Sequence, residues 1–180
     1  MDVKRYPRFA REGHAVSGDR SRTSAEVRNP LGHDYFHAIV DDHSRLAYGE
    51  LLDDERAATT TAFFERALAW FAGHGIQTRR VMTDGAWSYT RNRALRDLFA
   101  DQAIGHIVTP PYTPRWNGKV ERFHQTMARE WAYGLRYRSS RHRAAALPHW
   151  LRYYNERRPH SALSGRSPIS RAHNLPRQDS

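Results

Sequence analysis

Three acidic residues stand at positions where an α/β fold gathers functional groups: Asp2, Asp84 and Glu121. Asp2 opens a short strand-like segment, Asp84 directly follows the strand-like residues 78–83, and Glu121 lies in the first turns of a predicted helix. Acids at strand ends and at a helix edge can converge in space although they are distant in sequence. The three carboxylates are therefore candidates for one shared site.

Converged carboxylates are suited to binding a divalent cation. Two unit charges about 4 Å apart repel each other by roughly 4 kcal/mol at an effective dielectric of about 20, and a divalent metal removes that cost. Ligation by oxygen alone favours Mg²⁺ or Mn²⁺. Two such ions could activate water or a 3′-hydroxyl and stabilise the leaving oxygen of a phosphodiester.

Each acid also has a structural interpretation. Asp84 could cap the turn after its strand, Asp2 could be a solvated terminal residue, and Glu121 could be a favourable acid at a helix N-terminus. Asp41 and Asp42 are rival metal ligands, but an Asp-Asp pair in a hairpin turn is typical of turn chemistry.

The elements that must position these acids begin with three strands and continue with alternating helices and strands. The opening strands are predicted over residues 2–9, 35–40 and 46–51. The later elements are a helix over 59–74, a strand over 78–83, a helix over 91–100, a strand over 104–108, a helix from residue 117 and a last helix within 140–156. Strands separated by helices enter a sheet in parallel. The sequence therefore predicts an α/β fold with a mixed five-stranded sheet, an antiparallel meander plus parallel strands, flanked by helices.

The connections carry their own signals. Residues 10–33 are polar and glycine-containing, which predicts a long exposed loop. The prolines between Thr109 and Asn117 cannot be helical, and Asn117 is a suitable N-cap for the Glu121 helix. We expect Pro148 to kink the last helix or to mark its start, an irregular tail from residue 164, and disorder over 172–180.

The composition narrows the class of partner. The chain has 180 residues, a net charge of +10 and a pI near 10.5, which favours a polyanionic partner, nucleic acid first. There is no cysteine, so disulfides and thiolate zinc sites are excluded. No apolar run approaches the roughly 20 residues of a membrane span, so we expect an intracellular protein without a membrane partner.

Several segments together carry a family resemblance. They are Thr83–Tyr89, Pro111–His124 and Tyr154–Leu163, with the opening Asp2–Arg5 and the hairpin Val40–Arg45. In combination they resemble the integrase catalytic core of bacterial insertion-sequence transposases, in the DDE, retroviral-integrase-like superfamily. The resemblance covers the chain to about residue 171. It implies a ribonuclease H-like fold, in agreement with the predicted order of elements.

The resemblance also implies a reaction. It places the catalytic and metal-binding triad on Asp2, Asp84 and Glu121, with two Mg²⁺ or Mn²⁺ ions. It implies DNA transposition: 3′-end cleavage at the ends of the element and strand transfer into target DNA, by a homo-oligomer in the bacterial cytoplasm, associated with the nucleoid. A hydrolytic nuclease of the same fold and an inactive DNA-binding remnant are the alternatives.

Basic and polar residues near the triad are predicted to contact DNA, because guanidinium and ammonium groups neutralise phosphates and anchor the backbone. The predicted nucleic-acid-binding residues are Arg115, Asn117, Lys119, Arg122, His124, Arg157 and Arg158.

The chain departs from the family pattern at three places. Gly85-Ala86 replaces the usual Asn-Gly after the second acid, and the spacing from Asp84 to Glu121 is one residue longer than usual. The sequence begins one residue before Asp2, so the family's N-terminal helix-turn-helix region is absent from it. We therefore expect a truncated copy of a transposase.

Overall fold

The computed structural model describes residues 1–11, 31–110 and 118–172, and its first half opens with an antiparallel meander. Strand β1 spans Asp2–Pro7, β2 spans His33–Val40 and β3 spans Ala47–Leu52. β2 is the central strand and pairs with both neighbours. The exposed loop predicted over 10–33 lies mostly outside the described residues, and its last residue already belongs to β2.

Helices and two parallel strands follow the meander. They are α1 (Ala57–Gly73), β4 (Arg80–Thr83), α2 (Trp87–Thr90), α3 (Arg93–Asp101) and β5 (Gly105–Val108). β4 and β5 pair in parallel. Helix α3 begins where Asn92 caps it, its side chain accepting a hydrogen bond from the Leu95 amide at 3.2 Å.

The last third of the chain is helical. Its elements are α4 (Gly118–Met127), a π-helical continuation (Ala128–Ala132), α5 (Ser140–Glu156), a 3₁₀ turn (Ser161–Leu163) and α6 (Pro168–Ala172). Pro148 lies inside α5, so it does not mark the start of that helix. The expectation of an irregular tail from residue 164 was wrong for α6, and residues 173–180 lie outside the described part.

The mixed α/β architecture confirms the predicted fold class. In the hydrogen-bond pattern the five strands form a three-stranded antiparallel sheet and a two-stranded parallel one. The two sheets meet where the Met1 ammonium donates to the Met82 carbonyl at 2.8 Å. That contact brings the start of β1 beside β4.

The two largest apolar clusters among the described residues lie on opposite faces of the strands. One packs α4 and α5 onto β1 and β2 and is rich in aromatic side chains, including Phe36, Phe123 and Trp131. The other packs α1 and α3, through residues such as Phe63 and Phe99. Most aromatic residues interleaved with arginine in the last third therefore stabilise the core. The described residues include no helix long and apolar enough to cross a membrane.

Candidate active site

The structure brings Asp2 and Asp84 to one pocket. Its volume is about 300 Å³, and Glu55, Trp87 and Tyr89 also line it. Asp2 comes from the first residue of β1, which pairs with β2, and Asp84 directly follows β4. The contact between Met1 and β4 joins these two strand ends. The prediction that acids from separate strands converge is therefore met for this pair.

The pocket is unfavourable for negative charge. Burial raises the pKa of Asp2 above its ordinary value, and the Asp84 carboxylate raises it further. A hydrogen bond from the Val3 amide to Asp2 Oδ1 at 2.9 Å and the adjacent Met1 ammonium oppose this rise. Burial, with Asp84 and Asp2, also raises the pKa of Tyr89. Two like charges thus share a partly buried pocket.

Asp84 also has the local role that its turn position suggested. Its Oδ1 accepts a hydrogen bond from the Ala86 amide at 2.9 Å, which fixes the turn between β4 and α2. The same bond fixes the orientation of the carboxylate. A turn role and a ligand role are compatible here, because the second oxygen of the carboxylate is not used in this bond.

Glu121 lies apart from the pocket that holds the other two acids. Its side chain is exposed in the first turn of α4. Helix α4 itself contacts the site, because His124 Nε2 lies 3.4 Å from Asp2 Oδ2. Glu121 is three residues before His124, hence about one helical turn away on the same side. Among the described residues, no group of three or more His, Cys, Asp or Glu side chains is arranged to hold a metal ion.

His124 was predicted to contact DNA, and the structure places its side chain in the interior. The side chain is only 6% exposed and packs edge-on against Phe36 and Phe123. Burial lowers the pKa of His124 to about 4, helped by Lys4 and the Met1 ammonium. The imidazole is therefore neutral at pH 7 and lies in the interior, with Nε2 3.4 Å from Asp2 Oδ2.

Arg158, also predicted to contact DNA, has a carboxylate partner within the chain. Its guanidinium forms a bidentate ion pair with Glu130, with Nε–Oε2 at 3.0 Å and Nη2–Oε1 at 2.7 Å. The side chain is 24% exposed. The sequence motif around it is structural as well, because the Asn155 amide bonds both the amide and the carbonyl of Ala47, at 2.9 and 2.8 Å.

The other predicted DNA contacts have different surroundings. Arg122 and Arg157 are exposed, and Lys119 is exposed while forming an ion pair with Asp42. Arg115 and Asn117 lie outside the described residues. Asp41, one of the two rival metal ligands, stabilises the hairpin turn. It accepts hydrogen bonds from the Ser44 amide and hydroxyl, both at 2.7 Å.

Comparison with known families fits this geometry. Residues 11–114, more than half of the chain, match a family model described as integrase core domain, and residues 102–168 match a second model of the same description. The chain belongs to the integrase core domain family. Asp84 lies within the first match and Glu121 within the second, whereas Asp2 lies outside both.

Individual relatives of this integrase core are distant. A protein of Spiroplasma virus SpV1-C74 named "Putative integrase ORF3" is 24% identical over 148 residues, which are 76% of this chain and 41% of the relative. The chain thus spans about two fifths of the length of that relative.

Solved structures show the same fold at low identity. A chain in the cryo-EM structure of the simian T-cell lymphotropic virus intasome in complex with PP2A regulatory subunit B56 gamma superposes with a TM-score of 0.66 at 19% identity, over 82% of this chain and 51% of that one. The catalytic core domain of BIV integrase superposes with a TM-score of 0.58 at 18% identity, over 76% of this chain and 84% of that one. The HTLV-2 integrase catalytic core domain, solved in complex with magnesium in a trimeric form, superposes with a TM-score of 0.54 at 16% identity. The match covers 78% of this chain and 86% of that one. These similarities confirm the ribonuclease H-like fold.

The residues of this integrase core fit a divalent metal. Integrase cores depend on such an ion, and the pair Asp2 and Asp84 supplies carboxylate oxygens of the kind that Mg²⁺ prefers. Burial and the Asp84 carboxylate raise the pKa of Asp2, so a bound cation would favour its ionised form. A cation between the two carboxylates would remove their repulsion.

Sequence reasoning missed Trp87 at the rim of this pocket. Its side chain is 70% exposed, and the Arg91 guanidinium lies 4.2 Å above its ring. An aromatic ring backed by a cation and open to solvent is suited to stacking on a nucleobase. The available signal was a tryptophan three residues after Asp84, where no helical periodicity requires an apolar residue.

Proposed function

We propose that this integrase core is a DDE polynucleotidyl transferase that cleaves phosphodiesters and transfers DNA strands during transposition. The observation that carries the proposal is the shared pocket of Asp2 and Asp84, where burial and like charge raise the pKa of Asp2. Membership of the integrase core domain family supports the reaction class.

In this proposal Asp2, Asp84 and Glu121 hold the metal. When bound, Mg²⁺ or Mn²⁺, as two ions, would supply activation of the attacking hydroxyl and stabilisation of the leaving oxygen. Asp2 and Asp84 line one pocket, and Glu121, in the first turn of α4, would supply the third carboxylate. His124 is a positioning residue, because it packs under Asp2 and fixes the distance between α4 and β1.

DNA is the proposed partner. The chain carries a net charge of +10, and Arg122, Arg157 and Lys119 present exposed cations. Trp87 with Arg91 would stack on a base next to the attacked phosphate. The intasome and the trimeric core among the structural neighbours support an assembly of several copies that holds two element ends. An assembly on DNA would place the protein at the bacterial nucleoid.

A strand-transfer assay on oligonucleotides that carry the element's end sequences, with Mg²⁺, tests the proposal. We expect joined products from the unaltered chain and a loss on the order of a thousandfold, about 4 kcal/mol, in Asp84→Asn. Asp97→Asn is the matched control, because this exposed aspartate does not line the acid pocket and pairs only loosely with Arg93, at 3.7 Å. Equal activity of Asp84→Asn and the control would contradict the proposal.

A DNA-binding protein without cleavage activity is the second candidate. The observation that favours it is the exposed position of Glu121 outside the pocket. Salt-dependent DNA binding, with no Mg²⁺-dependent product and no change in affinity in Asp84→Asn, would support this candidate. Cleaved but unjoined strands would instead indicate a hydrolytic nuclease.

A further inference from the structure

Asp84 lies one residue beyond the last pair of the β4–β5 ladder. That ladder ends where Thr83 stands opposite Val108, and the Thr83 carbonyl accepts a hydrogen bond from the Thr109 amide at 2.8 Å. The ladder therefore stops short of the main chain of Asp84. A fixed position of this acid must come from side-chain hydrogen bonds or from the turn that follows it.

The residue after Asp84 adds conformational freedom to this turn. No contact requires a glycine at position 85, because a Cβ added to Gly85 would meet no atom within 4 Å, and its φ lies outside the left-handed region. Glycine has a wider range of backbone conformations than other residues. The turn therefore restricts Asp84 less than it would with another residue at this place, although the Ala86 amide holds the carboxylate at 2.9 Å.

Two side chains hold the main chain of Asp84 from the strand side. The Thr83 hydroxyl lies 2.9 Å from the carbonyl oxygen of Asp84, and His106 Nε2 on β5 lies 2.8 Å from the same hydroxyl. Thr83 is fully buried, and a buried hydroxyl needs a hydrogen-bond partner. The two contacts form a chain of hydrogen bonds that starts on β5 and ends at Asp84.

The direction of each hydrogen bond follows from the groups involved. A carbonyl oxygen only accepts, so the single proton of the Thr83 hydroxyl points to the Asp84 carbonyl. Toward His106 the hydroxyl oxygen then only accepts, so Nε2 of the imidazole carries a proton. Burial lowers the pKa of His106, so the ring is uncharged at neutral pH and its one N–H proton is the proton on Nε2.

The imidazole of His106 is itself held in place. Its ring packs edge-on against Phe99 of α3, with 5.4 Å between the ring centres, and Phe99 is almost fully buried. In the parallel register His106 stands opposite Val81, two residues before Thr83, so both hydrogen-bonded side chains lie on the same face of the strands. A donor on a packed ring can therefore fix the Thr83 hydroxyl in one orientation.

We infer that His106 is a positioning residue for the proposed metal site and that it acts on Asp84 through Thr83. His106 Nε2 donates to the Thr83 hydroxyl, and this hydroxyl donates to the Asp84 carbonyl. The Ala86 amide fixes the carboxylate of the same residue. Asp84 is thus held at its main chain and at its side chain. The effect on metal binding rests on the proposed function, whereas the effect on the position of Asp84 does not.

Exchange of the Ala86 amide, measured by NMR on the full chain without metal or DNA, tests the positioning. His106→Leu removes the donor and keeps an apolar side chain against Phe99. The hydrogen bond from Ala86 to Asp84 should then open more often, and the amide should exchange several-fold faster.

His106→Gln is the matched control, because the glutamine Nε2 can donate to the Thr83 hydroxyl in place of the imidazole. Exchange of the Ala86 amide should then stay within about twofold of the unaltered chain. Unchanged exchange in His106→Leu, or equally fast exchange in His106→Gln, would overturn the inference.

The affinity for Mg²⁺, measured by calorimetric titration of the same proteins, tests the link to the metal site. Residues that orient a metal ligand typically contribute about ten- to a hundredfold to metal affinity, so the Kd should rise about tenfold in His106→Leu and return in His106→Gln. Thr83→Val should weaken binding to the same degree. The double variant should bind no more weakly than either single one, because both substitutions break one chain of hydrogen bonds. Additive losses would contradict a shared action.

Val81→Ala separates positioning from the stability of β4. It removes buried apolar atoms from the same strand and should lower Tm, but it breaks neither hydrogen bond and should leave the Kd for Mg²⁺ unchanged. An equal loss of affinity in Val81→Ala and His106→Leu would overturn the inference, because any weakening of β4 would then suffice. If the unaltered chain binds no Mg²⁺, the proposed metal site fails, and exchange of the Ala86 amide still decides whether His106 positions Asp84.

Discussion

The two ends of the β1–β2 ladder place partly buried carboxylates in opposite electrostatic surroundings. At one end Asp34, paired in register with Tyr6, accepts hydrogen bonds from Arg8 Nε at 2.6 Å and from Arg143 Nη2 at 3.2 Å. At the other end Asp2 faces the like charge of Asp84. The same pair of strands therefore holds one compensated acid and one uncompensated acid.

The Asp34 end of the ladder has a structural role, whereas the Asp2 end has the properties of a functional site. Arg143 is almost fully buried, contacts three aromatic rings and also donates to the Pro7 carbonyl at 2.9 Å, so the Asp34 end closes the core. The Asp2 end is open to a pocket and carries a charge that the protein alone does not neutralise. An unfavourable arrangement of this kind is typical of a site that gains its missing charge from a ligand.

The largest effect on stability is expected at the compensated end. Arg143→Met removes one partner of a buried ion pair and leaves Asp34 with only the half-exposed Arg8, so we expect a loss of about 3–5 kcal/mol in the free energy of unfolding. Denaturant unfolding measures it, with the exposed Arg157→Met as control. A loss below about 1 kcal/mol would show that the two ends do not differ as argued.

The second prediction concerns pH and the histidine beneath Asp2. Burial lowers the pKa of His124 from 6.5 to about 4. Between these two pH values the imidazole binds a proton in the unfolded chain but not in the folded one. The stability contributed by neutral His124 is full above pH 6.5 and is lost as the pH falls toward 4, by about 3 kcal/mol in total.

His124→Phe isolates this effect. The difference in unfolding free energy between the unaltered chain and the variant should change with pH between 6.5 and 4, in favour of the variant at low pH. His149→Gln, on the exposed side of α5, is the control and should show no such trend. A pH-independent difference for His124→Phe would place the imidazole in a solvated environment and contradict its burial.

Some features of the site could be predicted because their signals in the sequence are local or depend only on the order of elements. The proximity of Asp2 and Asp84 could be predicted because strand ends in a sheet are neighbours, which depends only on the order of elements. The interiors of α1 and α4 were likewise visible in apolar residues at helical spacing, such as Phe63 and Phe123.

The sequence does not show surroundings that come from distant segments. Arg158 pairs with Glu130, 28 residues away, and His124 packs against Phe36 of β2. Periodicity places His124 at the edge of the apolar stripe but does not indicate what packs there.

The third prediction concerns the binding of Mg²⁺ at the Asp2 end of the ladder. Mg²⁺ should stabilise the unaltered chain by about 2.7 kcal/mol at a hundredfold excess over its Kd, and chelation by EDTA should reverse this. Asp84→Asn should lose most of the effect, whereas Glu65→Gln, an exposed acid on α1, should keep it. Equal stabilisation of all three proteins would mean that the ion binds elsewhere.

The smallest effect is expected when the charge of Asp2 is removed without metal. Its pKa in the folded protein is raised, so the ionised form opposes folding at neutral pH, and this opposition fades as the pH falls through the raised pKa. Asp2→Asn keeps the acceptor for the Val3 amide and removes the charge, so the chain should become more stable by roughly 1 kcal/mol at pH 7. Asp34→Asn, the same substitution at the compensated end, should instead destabilise, because it deprives Arg143 of its partner. Opposite signs for the two substitutions in chemical denaturation would support the comparison, and a shared sign would refute it.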